Sequence, residues 1–218
     1  MNRNKKGYEV LKKYYLNDNT YVLRFTRNNL QFIAGQSLSV GSVSSINSRE
    51  YSIFSGEKDD YLEILVKKVE DGKVSRELDA LKIGARLKVE GPGGGFTLSA
   101  AEQKEKDYLW IASGTGISPY RSMLRSHGSL KYRVIHGIQT LEDAYGMDFI
   151  APANYITCTS REASGVYAGR VTAYLNTLEL SKDTKCYICG NSNMIFDVYD
   201  ILKNKNITSE NIVTEVYF

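Results

Sequence analysis

DYLWIASGTGISPYRSML, residues Asp107–Leu124, decides how this chain reads. Tyr108–Ala112 is a continuous apolar run, the pattern of a strand covered on both faces. Gly114 and Gly116 then permit a sharp turn and a close backbone approach to a ligand, which a Cβ would obstruct. Ser118 supplies an N-cap and Pro119 a first helical residue. A helix starting there aims unpaired backbone N–H groups and its positive dipole end at the turn, which suits a phosphate. The same stretch also suits a plain strand-to-helix connection, and it lacks the third glycine of the usual dinucleotide fingerprint. The flanking sequence has to decide.

Downstream, apolar strand candidates (Tyr108–Ala112, Tyr132–His136, Tyr155–Ser160, Lys185–Cys189) alternate with helical stretches (Pro119–His127, Leu141–Phe149, Gly169–Thr177, Asn193–Lys203). That alternation predicts a parallel, doubly wound α/β sheet. Upstream, residues 7–103 read as short strands such as Thr20–Phe25, Gln36–Val40 and Tyr61–Val69, separated by Asn, Gly, Ser and Asp clusters. With one short helix, Ser75–Leu81, they predict a small antiparallel β-barrel. The polar run Ser99–Asp107 marks the boundary, dividing 1–103 from 104–218.

Composition narrows the class. At 42% hydrophobic and 24% charged residues, the chain reads as globular. No apolar run approaches the ~20 residues that span a bilayer, and the basic N-terminus has no apolar core of a secretory signal. Three cysteines without framework spacing fit a reducing compartment, so a cytoplasmic, monomeric protein without membrane insertion is expected. A net charge of +3 is too small to argue for nucleic acid. Seven Lys/Arg against two acids in residues 1–30 (Arg3, Lys5, Lys6, Lys12, Lys13, Arg24 and Arg27 against Glu9 and Asp18) could steer an acidic partner, or simply coat solvated strands.

Several short motifs carry chemistry. In Arg49-Glu50-Tyr51-Ser52, strand alternation puts Arg49 and Tyr51 on one face and Ser52 on the other. An aromatic to stack on, an arginine for anionic oxygens and a hydroxyl suit a planar ligand bearing phosphates, although an ordinary surface strand looks the same. In Gly72-Lys73-Val74-Ser75, Ser75 reads as the N-cap of the short helix, whose start offers amides to an anion. Gly91–Phe96 (GPGGGF) reads as a structural turn. Cys186-x-x-Cys189 invites a disulfide or metal reading, but residues three apart on a strand point to opposite faces. Three cysteines cannot supply the four ligands of the usual iron–sulfur clusters, and no metal site is expected. His127 and His136 have no motif partners and read as structural.

REYS, LVKKVEDGKVSREL, GPGGGFTL, ASGTGISPYRSML, CGNSNM and TEVYF follow one another in fixed order from Arg49 to Phe218, within a resemblance that covers roughly Tyr8 to Phe218. Together they resemble the ferredoxin–NADP reductase family, in particular the bacterial ferredoxin/flavodoxin–NADP reductases. The resemblance implies an FAD-dependent oxidoreductase. It would transfer hydride between NADP(H) and FAD, and single electrons between FAD and ferredoxin or flavodoxin. Arg49, Tyr51 and Ser52 then match the FAD signature, with Arg49 on the pyrophosphate, Tyr51 on the ring and Ser52 near flavin N5. Leu65, Val66 and Lys67 match the strand edging the ring, and Gly72, Lys73, Val74 and Ser75 the helix start holding the FAD pyrophosphate.

Gly114, Thr115 and Gly116 match the turn under the NADP pyrophosphate. Cys189 and Gly190 match the pair where nicotinamide arrives, and Met194 closes that motif as a cofactor-binding position. Glu215 and Tyr217 match the acid and the aromatic over the second flavin face, followed by Phe218. Ser52, Cys189, Glu215 and Tyr217 are the implied catalytic set. Ser160 and Arg161, with Arg170, match the group that receives a 2′-phosphate and so imply NADP(H) over NAD(H). The family's arginine after His136-Gly137 is here Gln139, which removes one cation. The alternatives are an NAD(P)H:flavin reductase or oxygenase reductase component, or a non-catalytic flavin- or nucleotide-binding module.

Overall fold

Alternating apolar residues in the first half pair as a period of two demands. In the computed structural model, which describes residues 7–98, 107–128 and 130–217, six strands form one antiparallel sheet. They are β1 (Tyr8–Asn17), β2 (Thr20–Thr26), β3 (Ser37–Ser42), β4 (Arg49–Ser52), β5 (Tyr61–Lys67) and β6 (Arg86–Gly93), in the order β4-β3-β6-β1-β2-β5. The two edges close on each other. Ile53, just past β4, bridges Ile64, and the Phe54 amide donates to the Glu63 carbonyl at 2.8 Å. This is the expected barrel, filled by Val10, Tyr21, Leu23, Phe25, Leu38 and Ile64. The GPGGGF segment differs from its reading as a turn: its first three residues extend β6, and Gly93 pairs with Ser37.

The second half is a six-stranded parallel sheet, also as expected. Its elements are β7 (Asp107–Ser113), α2 (Ser118–Ser126), β8 (Lys131–Ile138), β9 (Tyr155–Thr159), β10 (Tyr167–Ala168), α3 (Val171–Thr177), β11 (Lys185–Asn191), α4 (Ser192–Asn204) and β12 (Ile212–Tyr217). The order β10-β9-β8-β7-β11-β12 places the topological switch between β7 and β11, where such sheets open a crevice. Leu109 and Ile111 face α3 and α4, whereas Tyr108, Trp110 and Ala112 face α2 and the barrel. Leu141–Phe149 is not the expected helix. It is a 3₁₀ turn, Leu141–Asp143, followed by turns. Gly146 within it packs so closely on Ile150 and Tyr155 that a Cβ would lie 2.6 Å from the Ile150 side chain.

Two helix starts also differ from the sequence reading. The short helix of the barrel half is α1 (Lys73–Ala80), with Gly72 at the cap position. Ser75 lies inside its first turn and donates to the Gly72 carbonyl at 3.1 Å. At α2 a 3₁₀ turn, Gly114–Ile117, precedes the helix, so Ile117 takes the cap position and Ser118 is free for another partner. The boundary expected at 103/104 lies outside the described residues, as do Arg3, Lys5, Lys6 and Phe218. Among the described residues no helix is long and apolar enough to cross a membrane.

Helix α2 joins the two halves through one polar stripe. Ser118 donates to the Ser52 carbonyl (3.2 Å), Arg121 to the Phe54 carbonyl (2.8 Å), and Ser122 to the Ser55 carbonyl (2.7 Å). Arg125 forks onto Asp59 at 2.6 and 2.9 Å, and the Glu57 amide donates to Ser126. These positions recur at helical spacing on one face. At the centre is Glu63, fully buried, with Arg121 on one oxygen (2.9 Å) and Arg24 and Tyr14 on the other (2.8 and 3.1 Å). Burial works to raise the Asp59 carboxyl, but Arg125 and the Gly56 amide outweigh it and hold it below its ordinary value.

Removing one partner of a buried ion group leaves an uncompensated charge. Arg121→Met should therefore cost about 3 kcal/mol in chemical denaturation, with Arg24 still in place. A loss below about 1 kcal/mol, the scale of an exposed pair, would refute the buried-clamp account.

Candidate functional site

The crevice over β7 and β11 is shaped by two close approaches. A Cβ on Gly116 would sit 2.3 Å from the Cys189 carbonyl oxygen, and one on Gly190 would sit 2.1 Å from Ser113 Oγ. Both glycines are therefore required by contact, and Gly190 also by its φ of 144°. Ser113 Oγ accepts from the Asn191 amide and side chain at 3.0 and 2.9 Å, tying the ends of β7 and β11 together. Asn191 in turn caps α4 by accepting from the Met194 amide at 2.9 Å. The Met194 side chain itself packs in the core beneath α3 and α4.

Register brings together the residues that the sequence resemblance implies as catalytic. Cys189 on β11 pairs with Glu215 on β12, and Tyr217 follows on the same face as Glu215. Ser52, the last residue of β4, reaches them from the barrel. Its Oγ donates to Glu215 Oε2 at 2.6 Å and accepts from the Tyr217 hydroxyl at 2.6 Å. Cys189 Sγ lies 3.7 Å from the same carboxylate oxygen. Burial raises the Glu215 carboxyl above its ordinary value, against the Ser52 and Cys189 hydrogen bonds, which lower it. Burial also raises the Cys189 thiol and the Tyr217 hydroxyl well above theirs. The group is thus a chain of proton-bearing side chains with one carboxylate of raised basicity.

Sequence reasoning missed two contributors. Ser118 holds the carbonyl of Ser52 itself, and Gly94 is placed so that a Cβ there would sit 3.8 Å from Glu215 Oε1. Ser118 reads in sequence as a helix cap, and glycine-rich turns are too common to signal a site.

The remaining positions fall around this centre. Tyr51 packs its half-buried ring against the barrel core, and burial pushes its hydroxyl up to about 12, with Arg49 opposing. No side chain caps the first turn of α1 at Gly72–Ser75. An open helix start, an exposed arginine and a half-covered aromatic fit a planar ring carrying a pyrophosphate. Leu65 and Val66 are buried on β5, while Lys67 lies 3.7 Å from Asp143. Ser160, Arg161 and Arg170 lie beyond the ends of neighbouring strands: β9 and β10 run in parallel with Thr159 beside Ala168, and these residues follow them. Gln139 lies beside Arg161, its carbonyl accepting from the Arg161 amide.

The cysteine pair divides as alternation requires, Cys186 toward α3 and α4 and Cys189 toward the crevice. The basic N-terminal cluster is less free than its composition implies. Lys13 is paired with Asp79, Arg24 with Glu63, and Arg27 with the carbonyls of Leu30, Glu57 and Asp59. Of its described members, Lys12 is left to solvent, over the Tyr14 ring.

His136 is fully buried beneath the Gly114 turn, and burial lowers its pKa to about 4, against the Gly114 carbonyl and Asp143. An unfolded chain takes up this proton near 6.5, so stability present above that value is lost as pH falls toward 4. The stability advantage of wild type over His136→Gln should shrink as denaturation is followed from pH 7 to 4.5. A difference that stays constant over that range would contradict the buried neutral imidazole.

Residues 8–98 match the oxidoreductase FAD-binding domain family. Over 204 residues the chain is 28% identical to the toluate 1,2-dioxygenase electron transfer component of Pseudomonas putida, covering 87% of this chain and 60% of that one. It spans about half the length of the curated relatives it matches. Among solved structures, ferredoxin–NADP+ reductase from Plasmodium falciparum superimposes with a TM-score of 0.76 at 25% identity, covering 96% of this chain and 95% of that one. The ferredoxin NADP+ reductase from Neisseria gonorrhoeae shares the fold with a TM-score of 0.84 at 21% identity, each chain 98% covered.

Proposed function

We propose that this chain, whose residues 8–98 match the oxidoreductase FAD-binding domain and whose fold is that of the ferredoxin–NADP+ reductases, transfers hydride between NADP(H) and a bound FAD, and single electrons between that FAD and ferredoxin or flavodoxin. The observation that carries this reading is the meeting of Ser52 with Cys189, Glu215 and Tyr217, where the barrel touches the carboxyl ends of β11 and β12. We assign FAD to residues 1–103 and the nicotinamide nucleotide to 104–218. When bound, FAD supplies the redox chemistry, taking a hydride and releasing electrons singly.

The protein's own residues bind, orient and shield. Arg49 and the amides that follow Gly72, those of Lys73, Val74 and Ser75, would hold the flavin pyrophosphate, and Tyr51 would cover one face of the ring. Leu65, Val66 and Lys67 would border its edge. Ser52 presents a hydroxyl fixed from two sides, by Glu215 and Tyr217, so its lone pairs and proton have set directions. Tyr217 would cover the opposite face and exclude water until nicotinamide displaces it. The turn Gly114-Thr115-Gly116 would face the dinucleotide pyrophosphate, Cys189 and Gly190 the nicotinamide, and Ser160, Arg161 and Arg170 the 2′-phosphate.

A second reading follows from the dioxygenase electron transfer component to which the chain is similar. In it the acceptor is an oxygenase system, or free flavin. Turnover with ferredoxin or flavodoxin and none with free flavin supports the first reading, and the reverse supports the second. Three free, buried cysteines fit a reducing cytoplasm under either.

The deciding experiment is anaerobic titration of the flavin-loaded protein. Reduction at lower NADPH than NADH is expected, and a flavin that neither nucleotide reduces would end the proposal. In Glu215→Gln, flavin reduction should slow on the order of a hundredfold. The wild-type pH profile should also show an ionisation above the ordinary carboxylate value that the variant lacks; identical profiles would remove Glu215 from proton balance.

A further inference from the structure

His136 has no motif partner in the sequence, and it is 0% exposed. Its hydrogen bonds give it a more specific task. Nε2 lies 2.7 Å from the Gly114 carbonyl oxygen, and Nδ1 lies 2.6 Å from the Tyr155 hydroxyl. A carbonyl only accepts, so Nε2 must carry the hydrogen. With a neutral ring, Nδ1 is then an acceptor and Tyr155 must donate to it. The Gly146 amide donates to the Tyr155 oxygen at 3.3 Å, completing a one-directional relay from Gly146 through Tyr155 and His136 to Gly114. The tautomer is fixed by its neighbours.

The acceptor end of this relay is the first residue of the glycine turn. Gly114 has a φ of 51°, which glycine tolerates best, and it opens the 3₁₀ turn Gly114–Ile117. In a trans peptide the N–H points opposite to the C=O. A Gly114 carbonyl drawn inward to His136 therefore turns the Thr115 N–H outward, toward the crevice between β7 and β11. From the other side the turn is held by Gly116 against the Cys189 carbonyl.

We propose that His136, oriented by Tyr155, is a positioning residue that fixes the Gly114–Thr115 peptide with its N–H toward the pyrophosphate of the nicotinamide nucleotide. This rests on the reading of Gly114-Thr115-Gly116 as the dinucleotide turn. The inference predicts a loss confined to the pyrophosphate. Adenine and the 2′-phosphate would be held by Ser160, Arg161 and Arg170, which His136 does not touch.

The test is calorimetric binding of NADP+ to the flavin-loaded protein, with adenosine 2′-phosphate as a probe lacking the pyrophosphate. His136→Phe should weaken NADP+ binding by about tenfold, the worth of one hydrogen bond. Adenosine 2′-phosphate should bind as to wild type. His136→Gln, whose amide nitrogen can replace Nε2–H, should recover most of the loss. Equal NADP+ affinity in wild type and His136→Phe, or no recovery with glutamine, would overturn the proposal. So would a matching loss of both probes.

If His136→Phe does not retain flavin, the remaining pair decides. Weakened NADP+ binding in Tyr155→Phe with near-normal binding in His136→Gln is expected, and any other result refutes the relay. A wild-type protein that binds neither NADP+ nor NAD+ would remove the dinucleotide-turn reading and this inference with it. A wild type that binds while His136→Phe is indifferent removes the inference alone.

Discussion

Glu63, fully buried between Arg24 of the barrel and Arg121 of α2, is the interaction on which the rest of the molecule depends. Burying a carboxylate is costly unless cations and hydrogen bonds surround it. Here the compensating groups come from both halves, so the charge is satisfied when barrel and sheet sit in one relative position. The Ser118, Ser122, Arg125 and Ser126 contacts extend that single position along the length of α2. Each hydroxyl-to-carbonyl bond contributes only about 1 kcal/mol, so the stripe gives orientation more than strength.

That orientation reaches the chemistry directly. The helix that carries the stripe continues from the Gly114–Ile117 turn, and its first polar residue holds the carbonyl of Ser52. Hydride transfer depends steeply on the distance and angle between two rings. On the proposed reading, the turn that would face one nucleotide leads into the helix that holds the main chain of Ser52, whose hydroxyl would lie beside the other. The Ser52, Glu215 and Tyr217 hydrogen bonds then link the same strand end to β12, so the centre is gripped from both flanks of the crevice.

Much of this was legible in the residues. Continuous apolar runs such as Tyr108–Ala112 gave the buried parallel strands, because both faces are covered, and alternation gave the barrel. Gly114, Gly116 and Gly190 pointed to one crevice because a close backbone approach leaves a mark in sequence. The α2 stripe left no such mark. Ser118 reads as an N-cap and Arg121, Ser122 and Arg125 look like a solvated helix face, while three of their partners are main-chain carbonyls, which have no letter in a sequence. Leu141–Phe149 misled for a related reason. Its apolar spacing is helical, but Gly146 is pressed against Ile150 and Tyr155, and Tyr145 and Asn17 engage Asp143. Arg24 and Arg27 counted as free charge in the composition, whereas the fold turns both inward.

The carbonyls of Ser52, Phe54 and Ser55 that receive the α2 stripe have a consequence for how this protein can vary. A main-chain acceptor survives almost any replacement of the side chain it belongs to, whereas each donor on α2 is a particular side chain. Substitutions can therefore accumulate in the segment from Ser52 to Ser55, which on the proposed reading would border the flavin, without loosening the joint. The same freedom is denied to the helix. Divergent copies of this chain should differ in what the barrel side presents to a cofactor or carrier well before they differ in how the two halves meet.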